Sequence, residues 1–165
     1  MIAAAAAALL SGCSDDAPVK QEETTASKLT AGQYQASWKV NQVRSVDKTT
    51  PATKLKQDAA GTSTACIAAD GTIDPALFAE DGDSCKTDNA YVRNGRMSMD
   101  LTCRRKGQGG EVRQSVSGTF TADSLDTEVS TTTYLSGSGD YAMSRAITAK
   151  RVGECAPAAP AEKKA

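Results

Sequence analysis

The large apolar residues of this chain recur at every second position, and that alternation restricts it to sheet. Tyr34, Ala36, Trp38 and Val40 alternate with Gln35, Ser37, Lys39 and Asn41. Met97, Met99, Leu101 and Cys103 alternate with Ser98, Asp100 and Thr102, and Val116, Gly118 and Phe120 with Ser117 and Thr119. Tyr141, Met143 and Ile147 share a parity on the last run, and residues 127–135 are rich in Thr and Val, which favour strand. A period of two sends successive side chains to opposite faces, whereas a helix needs 3.6. One apolar and one polar face is the pattern of an antiparallel sheet packed on one side. Turn signals separate the runs at Asn94-Gly95, residues 107–110, Ala122-Asp123-Ser124 and residues 136–140. One short helix is expected, with Asp74 as cap, Pro75 at its first position and Ala76-Leu77-Phe78 as its apolar side. Residues 51–57 read as a loop or a helical turn. A sheet this long must curl to cover its apolar face. The expected fold is therefore all-β: a curved antiparallel meander of six or seven strands, a half-barrel or open barrel, with one short helix.

Such a sheet encloses a thin core. The hydrophobic share of 39% includes the alanines of both chain ends, and a domain with few large apolar residues gains from covalent cross-links. Cys66, Cys85, Cys103 and Cys155 are an even set, separated by 18, 17 and 51 residues. They lack the close C-x-x-C pairs of a zinc site, so disulfides in an oxidising compartment are expected. A three-residue hairpin loop over Arg93-Asn94-Gly95, with Gly95 left-handed in a bulge, sets Val92 opposite Arg96, Tyr91 opposite Met97 and Cys85 opposite Cys103. It also places Tyr91 on the apolar face, whereas a two-residue turn would put the two sulfurs on opposite faces. This register predicts Cys85–Cys103 and leaves Cys66–Cys155.

There is no histidine, which removes the commonest general base and the commonest metal ligand. No nucleophile motif or cofactor-binding motif is present, and the reading is of a protein that is not an enzyme. A net charge of −1 offers no attraction to nucleic acid. Arg104-Arg105-Lys106 reads as a solvated strand end. Glu80 and Asp81-Gly82-Asp83 lack the alternate acids and terminal Glu of a calcium loop and read as a turn, so no metal is expected. Tyr34, Trp38, Phe120 and Tyr141 are the candidate lining of a pocket for a small apolar ligand on the concave side of the sheet. Arg145 shares the parity of Tyr141, Met143 and Ile147. Facing inward it would need a carboxylate or a ligand anion, and a bulge or the strand end is expected to return it to water.

The chain opens with Met1-Ile2 and six alanines, then Leu9-Leu10-Ser11-Gly12-Cys13. The apolar run is too short to span a bilayer but suits a signal peptide. Its last residues resemble the lipobox of bacterial lipoproteins, although no Lys or Arg precedes the run. The resemblance implies a signal peptide over 1–12 and a lipid on Cys13 as the mature N-terminus. From Cys13 on there are 153 residues, one domain by length. The charged, hydroxyl-rich stretch up to residue 28 reads as a flexible tether, residues 29–155 as the β domain and residues 156–165 as a disordered tail. Ser14, in place of the aspartate that signals inner-membrane retention, implies an outer-membrane lipoprotein facing the periplasm.

Gly32-Gln33-Tyr34 at the first strand, Ala65-Cys66-Ile67, the Cys85 and Cys103 hairpin and Arg151-Val152-Gly153-Glu154-Cys155 at the end follow one another in the order of a further family. The chain resembles small proteobacterial exported proteins and lipoproteins grouped as a domain of unknown function, with a G-x-W start, four cysteines and a G-x-R-x-G-x-C end. Tyr34 stands in place of the Trp and Ala149 in place of the first Gly of the ending. The resemblance implies an all-β envelope protein and supplies no catalytic residues. The leading expectation is a lipid-anchored, non-enzymatic binding or interaction module. The alternatives are a carrier of a small apolar ligand and an inhibitor of a cell-wall lytic enzyme, the latter because residues 136–141, Ser-Gly-Ser-Gly-Asp-Tyr, are similar to the small-residue loop such inhibitors insert.

Overall fold

The computed structural model describes residues 28–156. The lipobox, Cys13, most of the tether and nearly all of the tail lie outside the described residues. Seven strands form one antiparallel sheet: β1 (Gly32–Ser45), β2 (Ala60–Ile67), β3 (Asp83–Arg93), β4 (Arg96–Arg105), β5 (Gly110–Phe120), β6 (Ser124–Leu135) and β7 (Tyr141–Gly153). The strand order is β2-β1-β7-β6-β5-β4-β3. From β3 to β7 the chain is a meander, and β1 then pairs with β7 so that the first and last strands lie side by side. The sheet curls into a half-barrel with its open seam between the edge strands β2 and β3. No helix among the described residues is long and apolar enough to cross a membrane.

Residues 68–82 cross that seam. Ile73 bridges to Ile67, and the chain then makes a single 3-10 turn, Pro75–Leu77, in place of the expected helix. Asp74 caps it, accepting the Ala76 N–H at 2.9 Å, and Pro75 opens it as anticipated. It stops after three residues because the segment must bury Leu77 and Phe78 inside the curl and still reach β3 by Asp83.

The β3–β4 hairpin has a different register from the expected one. Asn94 and Gly95 both have positive φ, 54° and 70°, and form a two-residue turn that closes Arg93 against Arg96. Such mirror-image turns match the twist of the strands and suit Asn-Gly. Val92 therefore faces Met97, while Tyr91 pairs with Ser98 and is 51% exposed. Between Thr87 and Asn89 the register slips by one residue, so Asp88 is the extra residue of a bulge. Below the bulge Cys85 lies opposite Cys103, and the two are bonded. The expected disulfide forms, with the extra residue in the strand rather than in the turn. The second disulfide, Cys66–Cys155, joins β2 to the segment after β7 across the start of β1.

The buried residues fall into two apolar clusters. The larger includes Tyr34, Ile67, Phe78, Leu101, Val116, Phe120 and Ile147. The smaller consists of Val40, Tyr141 and Met143, with Trp38 and Leu55 packed against it. On β7 the residue between Met143 and Ile147 on the inner face is Arg145, so a polar layer lies where the two clusters meet.

Candidate functional site

Arg145 does not return to water. The bulge near it lies on β1, where the register shifts between Val40 and Gln42, so β7 keeps its alternation and carries Arg145 inward to 1% exposure. Its Nη2 donates to the Phe78 carbonyl at 2.5 Å. Gln114, its amide oriented by the hydrogen-bond network, donates to the same carbonyl at 3.2 Å and accepts from Arg145 Nη2 at 3.3 Å. Arg145 Nε has no partner among the described residues. No carboxylate there lies within 4.0 Å of the guanidinium, and Glu80 acts on it only through longer-range attraction. Burial pulls the pKa of Arg145 down from its ordinary value, opposed by Glu80, Tyr141 and Asp83.

Beside it lies an ion cluster that the sequence reading assigned to solvent. Arg105, from the basic triplet at the end of β4, has a side chain only 16% exposed. Asp83 grips it through two oxygens, at 2.7 Å from Nε and 3.0 Å from Nη2, with the Asp83 side chain fully buried. Nη1 donates to the Ala52 carbonyl at 2.5 Å. Glu80, 6% exposed, lies 3.2 Å from Arg105 Nη2 and accepts from the hydroxyls of Tyr141 at 2.5 Å and Thr53 at 2.8 Å. Thus Glu80 and Asp83 do form a turn, but their carboxylates point inward to hold Arg105. The hydrogen bonds to Asp83 raise the pKa of Arg105 further above neutrality. Tyr141 is held above the ordinary phenol range by burial and by the Glu80 carboxylate. Two cations, Arg105 and Arg145, and two anions, Glu80 and Asp83, make the cluster neutral as a whole. Among the described residues no group of three or more His, Cys, Asp or Glu could hold a metal ion.

The structure divides the candidate ligand-facing residues between two places. Tyr34 and Phe120 sit in the larger cluster, the Tyr34 hydroxyl lying 2.9 Å from the Thr30 carbonyl and 3.1 Å from that of Ala122. Trp38, Tyr141 and Arg145 gather at the other end. There a cleft of about 360 Å³ is lined by Trp38, Leu55 and Ala76 on one hand and by Glu80, Asp81 and Arg145 on the other. A second cleft of about 310 Å³ adjoins it, sharing Leu55, Glu80 and Asp81 and reaching Arg105. Gly61, opposite Trp38 on β2, makes room for the indole, since a Cβ there would collide with the ring.

Gln114 and Gly61 were not among the residues singled out from the sequence, and Glu80, Asp83 and Arg105 were read as a turn and a solvated strand end. A signal for Gln114 existed. It shares the inner parity of Val112 and Val116, as Thr131 shares that of Val129, and the two are paired across β5 and β6. Polar residues on apolar parity in three successive strands mark a polar layer. Nothing in the local pattern marks Glu80 or Asp83, which turn inward only because residues 68–82 fold back over the seam.

A family profile for proteins of unknown function, DUF3617, matches residues 19–155. The chain belongs to DUF3617. The DUF3617 match takes in all seven strands, both disulfides and the cluster around Arg145. It agrees with the resemblance carried by Gly32-Gln33-Tyr34, the four cysteines and Arg151–Cys155. No curated protein and no solved structure matches this DUF3617 chain.

Proposed function

We propose that this DUF3617 protein is an exported, lipid-anchored envelope protein whose β domain binds a small ligand, without catalysis, in the cleft between Trp38 and Arg145. One observation carries the binding reading: an arginine buried to 1% exposure, with an N–H left unpartnered, forms part of the lining of a cleft of about 360 Å³. Buried polar groups are almost always satisfied, so an unmade bond beside a cleft of ligand size points to a missing partner. The cleft's chemistry favours holding over reacting. Glu80 and Asp83 are engaged by Arg105, Tyr141 keeps its proton, and the chain has no histidine.

The test is native mass spectrometry of the Cys13→Ala chain, produced by export and purified without detergent. The bound mass is expected to survive isolation and to disappear in Ala76→Phe, which fills the cleft from an exposed position on the 3-10 turn. A chain that emerges free of ligand in both forms, and whose Trp38 emission answers no added small apolar compound, overturns the binding reading. The anchoring reading rests on Leu9-Leu10-Ser11-Gly12-Cys13 and, for an outer-membrane location facing the periplasm, on Ser14. Two or three acyl chains hold a protein on a membrane where a single chain holds only marginally. The parent chain should therefore sediment with outer membranes in high salt and Cys13→Ala should not. Membrane association of Cys13→Ala under those conditions refutes the anchor.

A further inference from the structure

We propose that the cleft selects a neutral molecule carrying a single hydrogen-bond-accepting carbonyl on an apolar body, an acyl amide or ester in class, with the carbonyl oxygen on the Arg145 guanidinium and the apolar part against Trp38. This rests on the binding reading above and narrows it to a ligand class.

Three features of the site lead to it. The first is donor count. Nε and Nη2 form one edge of the guanidinium, the edge that a carboxylate or phosphate grips through two parallel bonds. Nη2 is already committed to Phe78 and Gln114. With Nη2 taken, neither edge of the guanidinium is open to a two-bond grip, and the N–H groups without a partner among the described residues, on Nε and Nη1, suit a single acceptor oxygen. The second is charge. Glu80, Asp81 and Asp83 line the same cleft, and Asp81 has no cationic partner among the described residues, so an entering anion would meet uncompensated negative charge. An entering cation would be brought up to Arg145. The Glu80–Asp83 pair carries one negative charge more than Arg105 cancels, and that excess balances Arg145 without help from a ligand. A neutral acceptor takes a free N–H of Arg145 and disturbs none of this. The third is lining. Trp38, Leu55 and Ala76 offer apolar surface that a water molecule on Arg145 would leave uncovered, and the volume lies within the range of small-ligand sites.

Trp38 is the only tryptophan in the chain, so its emission reports on the cleft directly. The experiment titrates the Cys13→Ala chain with octanamide, octanoate and octylamine, which share an apolar body and differ in charge. Octanamide should give a saturable change in Trp38 emission, with a Kd at least ten-fold below those of the other two. Ala76→Phe should abolish all three responses. Arg145→Met should bring the three affinities within about two-fold, because the apolar contact survives and the donor does not. If Arg145→Met fails to fold, the ten-fold preference in the parent chain and its loss in Ala76→Phe still decide the matter. A protein that retains a native ligand by mass yet binds octanamide no better than octanoate or octylamine overturns the neutral-carbonyl assignment and leaves the binding reading standing. A protein that retains no mass and whose Trp38 emission answers none of the three compounds overturns both.

Discussion

Deleting Asp88 should leave the Cys85–Cys103 bond intact, although the deletion falls between the two cysteines. On β3 the nine residues 85–93 face the eight residues 96–103 of β4, and Asp88 is the surplus one. Without it eight face eight, Cys85 stays opposite Cys103, and Asn89 stays opposite Asp100. Had the extra residue been in the turn, with Val92 opposite Arg96, the same deletion would carry Cys85 opposite Thr102 and swing its sulfur to the outer face. The difference is large enough to measure. The bond closes a loop of 18 residues, which the chain-entropy treatment values at about 3 kcal/mol, against a usual stability of about 5–15 kcal/mol for a whole domain. On the other side stand only exposed contacts: Asp88 accepts from the Thr102 hydroxyl at 2.5 Å and pairs with Lys86 at 3.0 Å. Thiol titration in denaturant without reductant, on the Cys13→Ala background, should find no free thiol in the deletion variant, and its urea midpoint should stay near the parent's. Cys85→Ala/Cys103→Ala provides the reference loss of about 3 kcal/mol. Two free thiols and a loss of that size in the deletion variant would refute the bulge register.

The other disulfide encloses a span of 89 residues, so Cys66→Ala/Cys155→Ala should cost about 4–5 kcal/mol by the same treatment; a loss no greater than that of the hairpin pair would contradict the ordering. Arg105→Met strands Asp83, whose side chain is fully buried, and should cost about 3–5 kcal/mol in urea denaturation. Adding Asp83→Leu should recover part of that cost, and no recovery would show that the loss arises elsewhere. Asp47 accepts from the side chain and backbone of Thr49 and from the Gly139 and Asp140 N–H groups, bonds that hold its pKa well below the carboxylate range. Because the folded value is depressed, this contribution is complete above the unfolded pKa of about 4 and is lost as pH falls toward the folded one. Stability should therefore decline below about pH 4, more gently in Asp47→Asn, and identical slopes for the two proteins would sink the assignment.

Local chemistry determined most of the architecture. The alternation of Tyr34, Ala36, Trp38 and Val40, of Met97 to Cys103 and of Tyr141 to Ile147 is a property of neighbouring residues, and the strands and their buried faces follow it. The turns lie where Asn-Gly and the Gly-Ser runs allow positive φ. Asp74 and Pro75 announced a short helix, which the distance to be covered cut to a single 3-10 turn. The position of a bulge is not local in this sense. Asp88 bulges because Asn94-Gly95 closes the hairpin tightly at one end while Cys85 must meet Cys103 at the other. The site depends on tertiary structure still more. Arg145 was visible on apolar parity, yet whether it faced water depended on which of two paired strands held the bulge, and β1 holds it. Glu80, Asp83 and Arg105 lie far apart in sequence from Tyr141 and Arg145, in segments whose composition suits a solvated surface. They are buried because residues 68–82 close the seam of the half-barrel, and burial turns ordinary surface charges into groups that must find partners.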